Sequence, residues 1–193
     1  MSVALFIDKA NLDILWRGVD SRLINFARLL TYIELTESDR IAEAYCCDAT
    51  ENGEWTSCHK AMAHAGIRPK VYRYAYEPIA DAIDRHTGVP VRRRIQKGVD
   101  VGLATRMIES HRLSGWNHLL LAASDADFAE PVQHLVETYG VRVTALGIPE
   151  RISFALKPYI TAYYDLRKIA DDIVNPARLA SSAAPVTSLQ RGA

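Results

Sequence analysis

Residues 119–128, LLLAASDADF, decide how this chain is read. Leu119 to Ala123 form an apolar run without alternation, the pattern of a strand buried on both faces of a parallel sheet. The run ends at Ser124, and two aspartates follow, Asp125 and Asp127. Phe128, Val132, Leu135, Val136 and Tyr139 then recur at helical spacing. Ligands of open α/β sheets sit just beyond the carboxyl ends of the strands, so two carboxylates at this junction are placed to hold a metal or steer a water. The same residues also suit a structural role, Asp125 capping the helix and Asp127 complementing its dipole. Whether other carboxylates reach the same edge decides between the two.

Two more segments bring them. Residues 3–7, VALFI, are a second buried-strand run; it stops at Asp8, and Asn11 follows. Asn11 can orient Asp8 or a substrate phosphate through its amide, or simply serve as a loop or cap residue. Residues 96–100, QKGVD, open a helix carrying Val101, Leu103, Ala104, Met107 and Ile108, with Asp100 in its first turn, where the helix dipole favours an anion. Between these lie a helix with Leu23, Ile24, Phe26, Ala27, Leu30 and Ile33, capped by Ser21; a strand at 40–47 ending at Asp48; a helix at 54–65 stopped by Gly66; and a strand at 67–76 with Tyr72, Tyr74 and Tyr76 alternating. After the central strand and helix come a strand at 141–146, a short helical piece at 150–156, and an edge strand or extended segment at 160–166.

This alternation predicts an α/β fold: three α/β/α layers around a mainly parallel sheet of five to six strands, Rossmann-like, with right-handed crossovers. In a sheet of order about 3-2-1-4-5, strands one and four are neighbours. Asp8 and Asp125 then end side by side, Asp127 is close, and Asp100 needs only a modest folding back to join them. Carboxylate oxygens with open water positions suit Mg²⁺ or Mn²⁺ rather than zinc.

The 193 residues fit one domain of ordinary size. We place it at 1–168, with a projecting hairpin around 77–96 and a flexible Ala/Ser/Pro-rich tail at 169–193. Acidic and basic residues balance at 23 each, so net charge gives no argument for nucleic acid, and only local clustering can. Arg85, Arg92, Arg93, Arg94, Lys97 and Arg106 supply it, with Asp100 the only acid among them between 85 and 106. Such density suits a phosphate backbone, and equally a solvated hairpin. The tyrosine alternation suits edge-strand packing, with base stacking as the alternative. Three cysteines, Cys46, Cys47 and Cys58, without a CxxC pair read as a reduced, cytoplasmic protein. His59 and His64 lack zinc-ligand spacing and read as helix-surface residues. No run approaches the roughly 20 apolar residues of a membrane span.

Three motifs, FIDKANL (6–12), KGVDVGLATRM (97–107) and ASDADFAEPV (123–132), resemble those of NYN domain proteins of the LabA-like branch, within the PIN-like nuclease superfamily. The resemblance runs over nearly the whole span 3–166. It implies a PIN-like fold and metal-dependent cleavage of RNA. It carries over Asp8, Asn11, Asp100, Asp125 and Asp127 as catalytic residues, with Asp8, Asp100, Asp125 and Asp127 on the metal. Lys9, Arg92, Arg93, Arg94, Lys97, Arg106 and Ser124 are then the candidate substrate contacts. RNA is the expected partner, with a homodimer left open and no membrane. Lys9 and Ser124 stand where the family has glycine, and Arg106 where it has a second helix aspartate. Arg106 lies about 9 Å along the helix from Asp100, too far for both positions to ligate one ion. A second reading rests on Lys9 and Arg106: a catalytically degenerate RNA-binding or regulatory protein on the same fold.

Overall fold

The computed structural model describes residues 2–15, 24–84 and 86–174. Its centre is a six-stranded, wholly parallel sheet. The strands are β1 (Val3–Asp8), β2 (Ile41–Thr50), β3 (Arg68–Arg73), β6 (His118–Ala122), β7 (Arg142–Gly147) and β8 (Ala162–Asp165). They lie in the order β3-β2-β1-β6-β7-β8. Apart from the hairpin strands β4 (Ala75–Ile83) and β5 (Pro90–Ile95), this is the order expected from the sequence, with the 160–166 segment adding the sixth strand.

Strand side chains alternate between two faces, and both faces are covered, so β1 and β6 are buried along their whole length. Val3, Leu5 and Ile7 join a core with α1 (Lys9–Leu15), α2 (Phe26–Glu37), α3 (Ser57–Ala65) and α6 (Leu166–Ile173). Ala4 and Phe6 join the opposite core with α4 (Val99–Ser114) and α5 (Ala129–Tyr139). Asp8, in register with that second set, turns its side chain to the α4–α5 face.

Several local readings change. Helix α2 begins at Phe26 and is capped by Asn25, whose Oδ1 accepts the Arg28 N–H at 3.1 Å; the expected Ser21 cap lies outside the described residues. Helix α3 starts three residues later than expected. Its cap is reciprocal: the Thr56 N–H donates to His59 Nδ1 at 3.0 Å, and the His59 N–H donates to Thr56 Oγ1. His59 is therefore 1% exposed, not a surface residue. Residues 150–156 do not form a helix: Pro149–Arg151 is a single 3₁₀ turn that Ile152 leaves in an extended conformation, and the next 3₁₀ turn is Lys157–Tyr159. Helix α6 was not expected. Asp165 caps it, and Leu166, Ile169 and Ile173 pack its inner face on the core, so the ordered fold continues past 168 to Val174. The tail from 175 lies outside the described residues, among which no helix is long and apolar enough to cross a membrane.

The edge strand β3 meets α4 through Tyr72. Its ring lies against Gly98 and Gly102; a Cβ on Gly102 would overlap the hydroxyl and come within 2.8 Å of Cζ. Gly98, the helix cap at φ +84°, needs glycine for its conformation as well. In Gly102→Ala the helix gains about 1 kcal/mol of intrinsic propensity, but the overlap costs about 1–3 kcal/mol. We expect a net loss of stability in urea melts, and a net gain when the same change is made in a Tyr72→Ala background.

Candidate active site

Strands β1 and β6 are neighbours and end together, which brings three segments to one edge of the sheet. Asp8 is the last residue of β1 and is 5% exposed. Its Oδ1 accepts the Asn11 N–H at 3.1 Å, closing the first turn of α1. Loss of hydration pushes its pKa up to about 6; the backbone N–H groups of Asn11 and Ala10 work against this, while Asp100 and Asp48 add repulsion. Asp100, in the first turn of α4, is also raised, first by burial and then by Asp125 and Asp127. Asp125 and Asp127 are exposed. Asp125 does cap the turn that follows β6, its Oδ1 taking the Asp127 N–H at 3.4 Å.

Asn11 is fixed from across the cleft. The Ser124 hydroxyl donates to its Oδ1 at 2.8 Å, leaving the amide nitrogen as the end that can donate to a ligand. Ser124 thus positions Asn11, a different task from the substrate contact expected of it.

Lys9 does not serve the site. It is 5% exposed, and its ammonium pairs with Asp13 within α1. Burial lowers its pKa, but Asp13 outweighs that and the net direction is upward. The ammonium also feels Asp48 and Cys58, on the sheet face opposite Asp8. Replacing glycine by Lys9 therefore neither blocks the cleft nor offers a cation to a phosphate.

Arg106 pairs with Glu109 at 3.2 Å and stays half exposed. The charges that act on Asp100 are the carboxylates of Asp125 and Asp127. The charge of Arg106 is felt at Cys47 and Tyr72. Cys47 is the register partner of Asp8 on one side and of Lys70 on the other. Burial, then Asp8, push the Cys47 thiol up to about 12, while Arg106 and Lys70 pull it down. The two cations therefore flank the carboxylates on the β3 side.

Lys70 was not anticipated; its alternation with Arg68 and Tyr72 on one face of an edge strand was the available signal. The second strand runs on past Asp48 to Thr50, and Asp48, within it, accepts from His59 Nε2 at 2.9 Å. In the hairpin, Glu77 takes both Lys97, at 2.9 Å, and Arg93, at 3.7 Å. Arg94 lies 4.3 Å over the Tyr74 ring and 3.9 Å from Glu51, and Arg92 is exposed. None of these four reaches the carboxylates.

On the other side of the carboxylates, a groove of about 840 Å³ opens between α4 and α5, lined by Asp100, Val101, Ile108, Asp127, Glu130 and Pro131 among others. Its polar lining is Asp100, Asp127 and Glu130 together with Thr105 and His134.

Do these residues fit a divalent cation? Asp8 and Asp100 both have raised pKa values, first through burial and then through neighbouring carboxylates. That donor set is hard oxygen and suits Mg²⁺ or Mn²⁺. It is not a closed cage: among the described residues, no three His, Cys, Asp or Glu side chains are arranged to hold an ion together. Mg²⁺ is ordinarily held by one or two carboxylates, its own waters and substrate phosphates, so an open set fits it.

The NYN domain family model matches residues 2–167. The chain belongs to the NYN domain family. NYN domains are PIN-like nucleases, generally ribonucleases that depend on a divalent metal, so this NYN domain carries a nuclease fold with an RNA-related role. A crystal structure of a protein of unknown function from Vibrio parahaemolyticus shares the fold, with TM-score 0.60 at 19% identity, covering 90% of this chain and 96% of that one. No curated protein matches the sequence.

Proposed function

We propose that this NYN domain, of the LabA-like branch, is a metal-dependent endoribonuclease acting through Asp8, Asp100, Asp125 and Asp127. The observation that carries it is Asp8: a buried carboxylate whose charge is disfavoured, facing Asp100 across the cleft with acidic neighbours on its far side. Such an arrangement is poorly solvated unless a cation joins it. Asp8, Asp100 and Asp125 would hold Mg²⁺ or Mn²⁺, one or two of them directly and the rest through the ion's waters, and Asp127 would be a further contact or would position the attacking water. The ion, when bound, supplies a water of lowered pKa and neutralises charge on the cleaved phosphate. Asn11, its carbonyl occupied by Ser124, points its amide N–H at a phosphate oxygen. Arg106 and Lys70 hold the phosphate chain beside the carboxylates, and Arg92, Arg93, Arg94 and Lys97 hold it farther out.

The test is cleavage of labelled single-stranded and structured RNAs in Mn²⁺, Mg²⁺ or EDTA. We expect internal cleavage with either metal and none in EDTA. Arg106, a cation at the family's second helix aspartate, favours a second reading, a non-catalytic RNA-binding protein. Salt-sensitive RNA binding in EDTA with no cleavage under any metal would establish that reading instead.

A further inference from the structure

The basic residues of this neutral chain are not spread evenly. Residues 66–97 hold eight basic and three acidic residues, so β3 and the hairpin are a positive arm on an otherwise acidic body. Their tyrosines are interleaved with the cations. On the Asp8 side of the sheet, Lys70 lies 5.7 Å over the ring of Tyr72, and Arg68 lies 5.2 Å over Tyr45. Arg94 lies 4.3 Å over Tyr74 and directly opposite Tyr76 in the β4–β5 ladder. Glu51 steadies this end, accepting from the Tyr76 hydroxyl and pairing with Arg94. Tyr76 remains 44% exposed. The strip is anchored at the chemistry, because Tyr72 packs on Gly98 and Gly102, which bracket Asp100.

We infer that Tyr76 and Arg94, with Tyr74 beneath, form a base-stacking subsite for single-stranded nucleic acid. A strand leaving the acidic centre passes Arg106 and Lys70 and runs over the β3 edge to the hairpin. The inference rests on the RNA-directed reading of that centre. The opposite exit, between α4 and α5, is lined by Asp127, Glu130 and His134 and by no Lys or Arg. From Tyr72 to Tyr76 an extended chain covers about 13 Å, so the two rings lie far enough apart to meet different nucleotides. Exposed ring faces beside cations take unstacked bases of any sequence, and a duplex keeps those base faces covered. The guanidinium of Arg94, held over the Tyr74 ring, adds a second platform.

The experiment measures binding of a fluorescein-labelled twelve-residue oligouridylate, the matching oligodeoxythymidylate and a hairpin RNA, in EDTA, across a salt series. Tyr76→Ala should weaken single-strand binding about tenfold with an unchanged salt slope. Tyr76→Phe, which loses the bond to Glu51 but keeps the ring, should stay within about twofold. Arg94→Ala should weaken binding and lower the salt slope by about one. Equal RNA and DNA affinity would place recognition in the bases and phosphates, whereas an RNA preference lost in these variants would add a 2′-hydroxyl contact within the subsite. If the parent binds and Tyr76→Ala and Arg94→Ala bind equally well, the subsite is overturned while the nuclease reading stands. If Tyr76→Ala loses binding but no RNA is cut with any metal, the subsite stands and the nuclease reading falls. Duplex bound as tightly as single strand, with the same dependence on Tyr76, would also overturn stacking.

Discussion

Asp8→Asn should make the protein more stable at pH 8, by about 3 kcal/mol, while removing its activity. The sign follows from linkage. The folded-state pKa is about 6 against an ordinary 3.8, so the native state holds the Asp8 proton more tightly than the unfolded chain does. Stability therefore falls as pH rises from about 4 to about 6 and is level above that. A difference of about two pKa units corresponds to about 3 kcal/mol when both states are ionised. Asparagine keeps the Oδ1 that accepts from Asn11 and removes the charge. The gain in urea melts should shrink to about 1 kcal/mol at pH 4.5, where only the unfolded chain is ionised. Added Mg²⁺ or Mn²⁺ should stabilise the parent through mass action and leave the variant unmoved. A variant no more stable than the parent at pH 8 would mean that the Asp8 charge is already compensated without a metal.

The sheet was legible because its strands declare themselves twice. Apolar runs without alternation mark β1 and β6 as central, and the helix after each fixes parallel pairing. Once that order is granted, β1 and β6 must end side by side: Asp8 closes β1, and Asp125 follows the end of β6 by three residues. What the sequence hid were relations across faces. Lys9 follows Asp8 in the chain, yet its side chain leaves on the other side of the sheet, to Asp13. Arg106 stands on the same helix as Asp100, yet its charge is felt at Cys47 and Tyr72. His59 reads as a surface residue because helix position predicts exposure; its ring is instead consumed by a cap and by Asp48. Lys70 carried no motif, and only the register Asp8–Cys47–Lys70 brings it to the site. Helix α6 was missed although Leu166, Ile169 and Ile173 have helical spacing, because the composition of the following tail masked it.

The second large effect belongs to Asp125, the residue whose two roles were open in the sequence. The structure gives it a cap, since Oδ1 accepts the Asp127 N–H, but at 3.4 Å that bond is long. It also gives it a charge that raises Asp100. Paired substitutions separate the roles. Asparagine is as good a cap as aspartate, whereas alanine loses about 1 kcal/mol. Asp125→Asn should therefore keep the parent's urea midpoint, and Asp125→Ala should lose no more than about 1 kcal/mol. Both should lose cleavage alike, beyond the 10–100-fold typical of residues that only support metal ligands. Binding of RNA in EDTA should persist in both, because the charge removed repels phosphate. Removing that charge should also return the Asp100 pKa towards the ordinary carboxylate range, measurable by NMR titration. Full cleavage by Asp125→Asn, with a loss only in Asp125→Ala, would reduce Asp125 to its cap and leave the ion to Asp8 and Asp100.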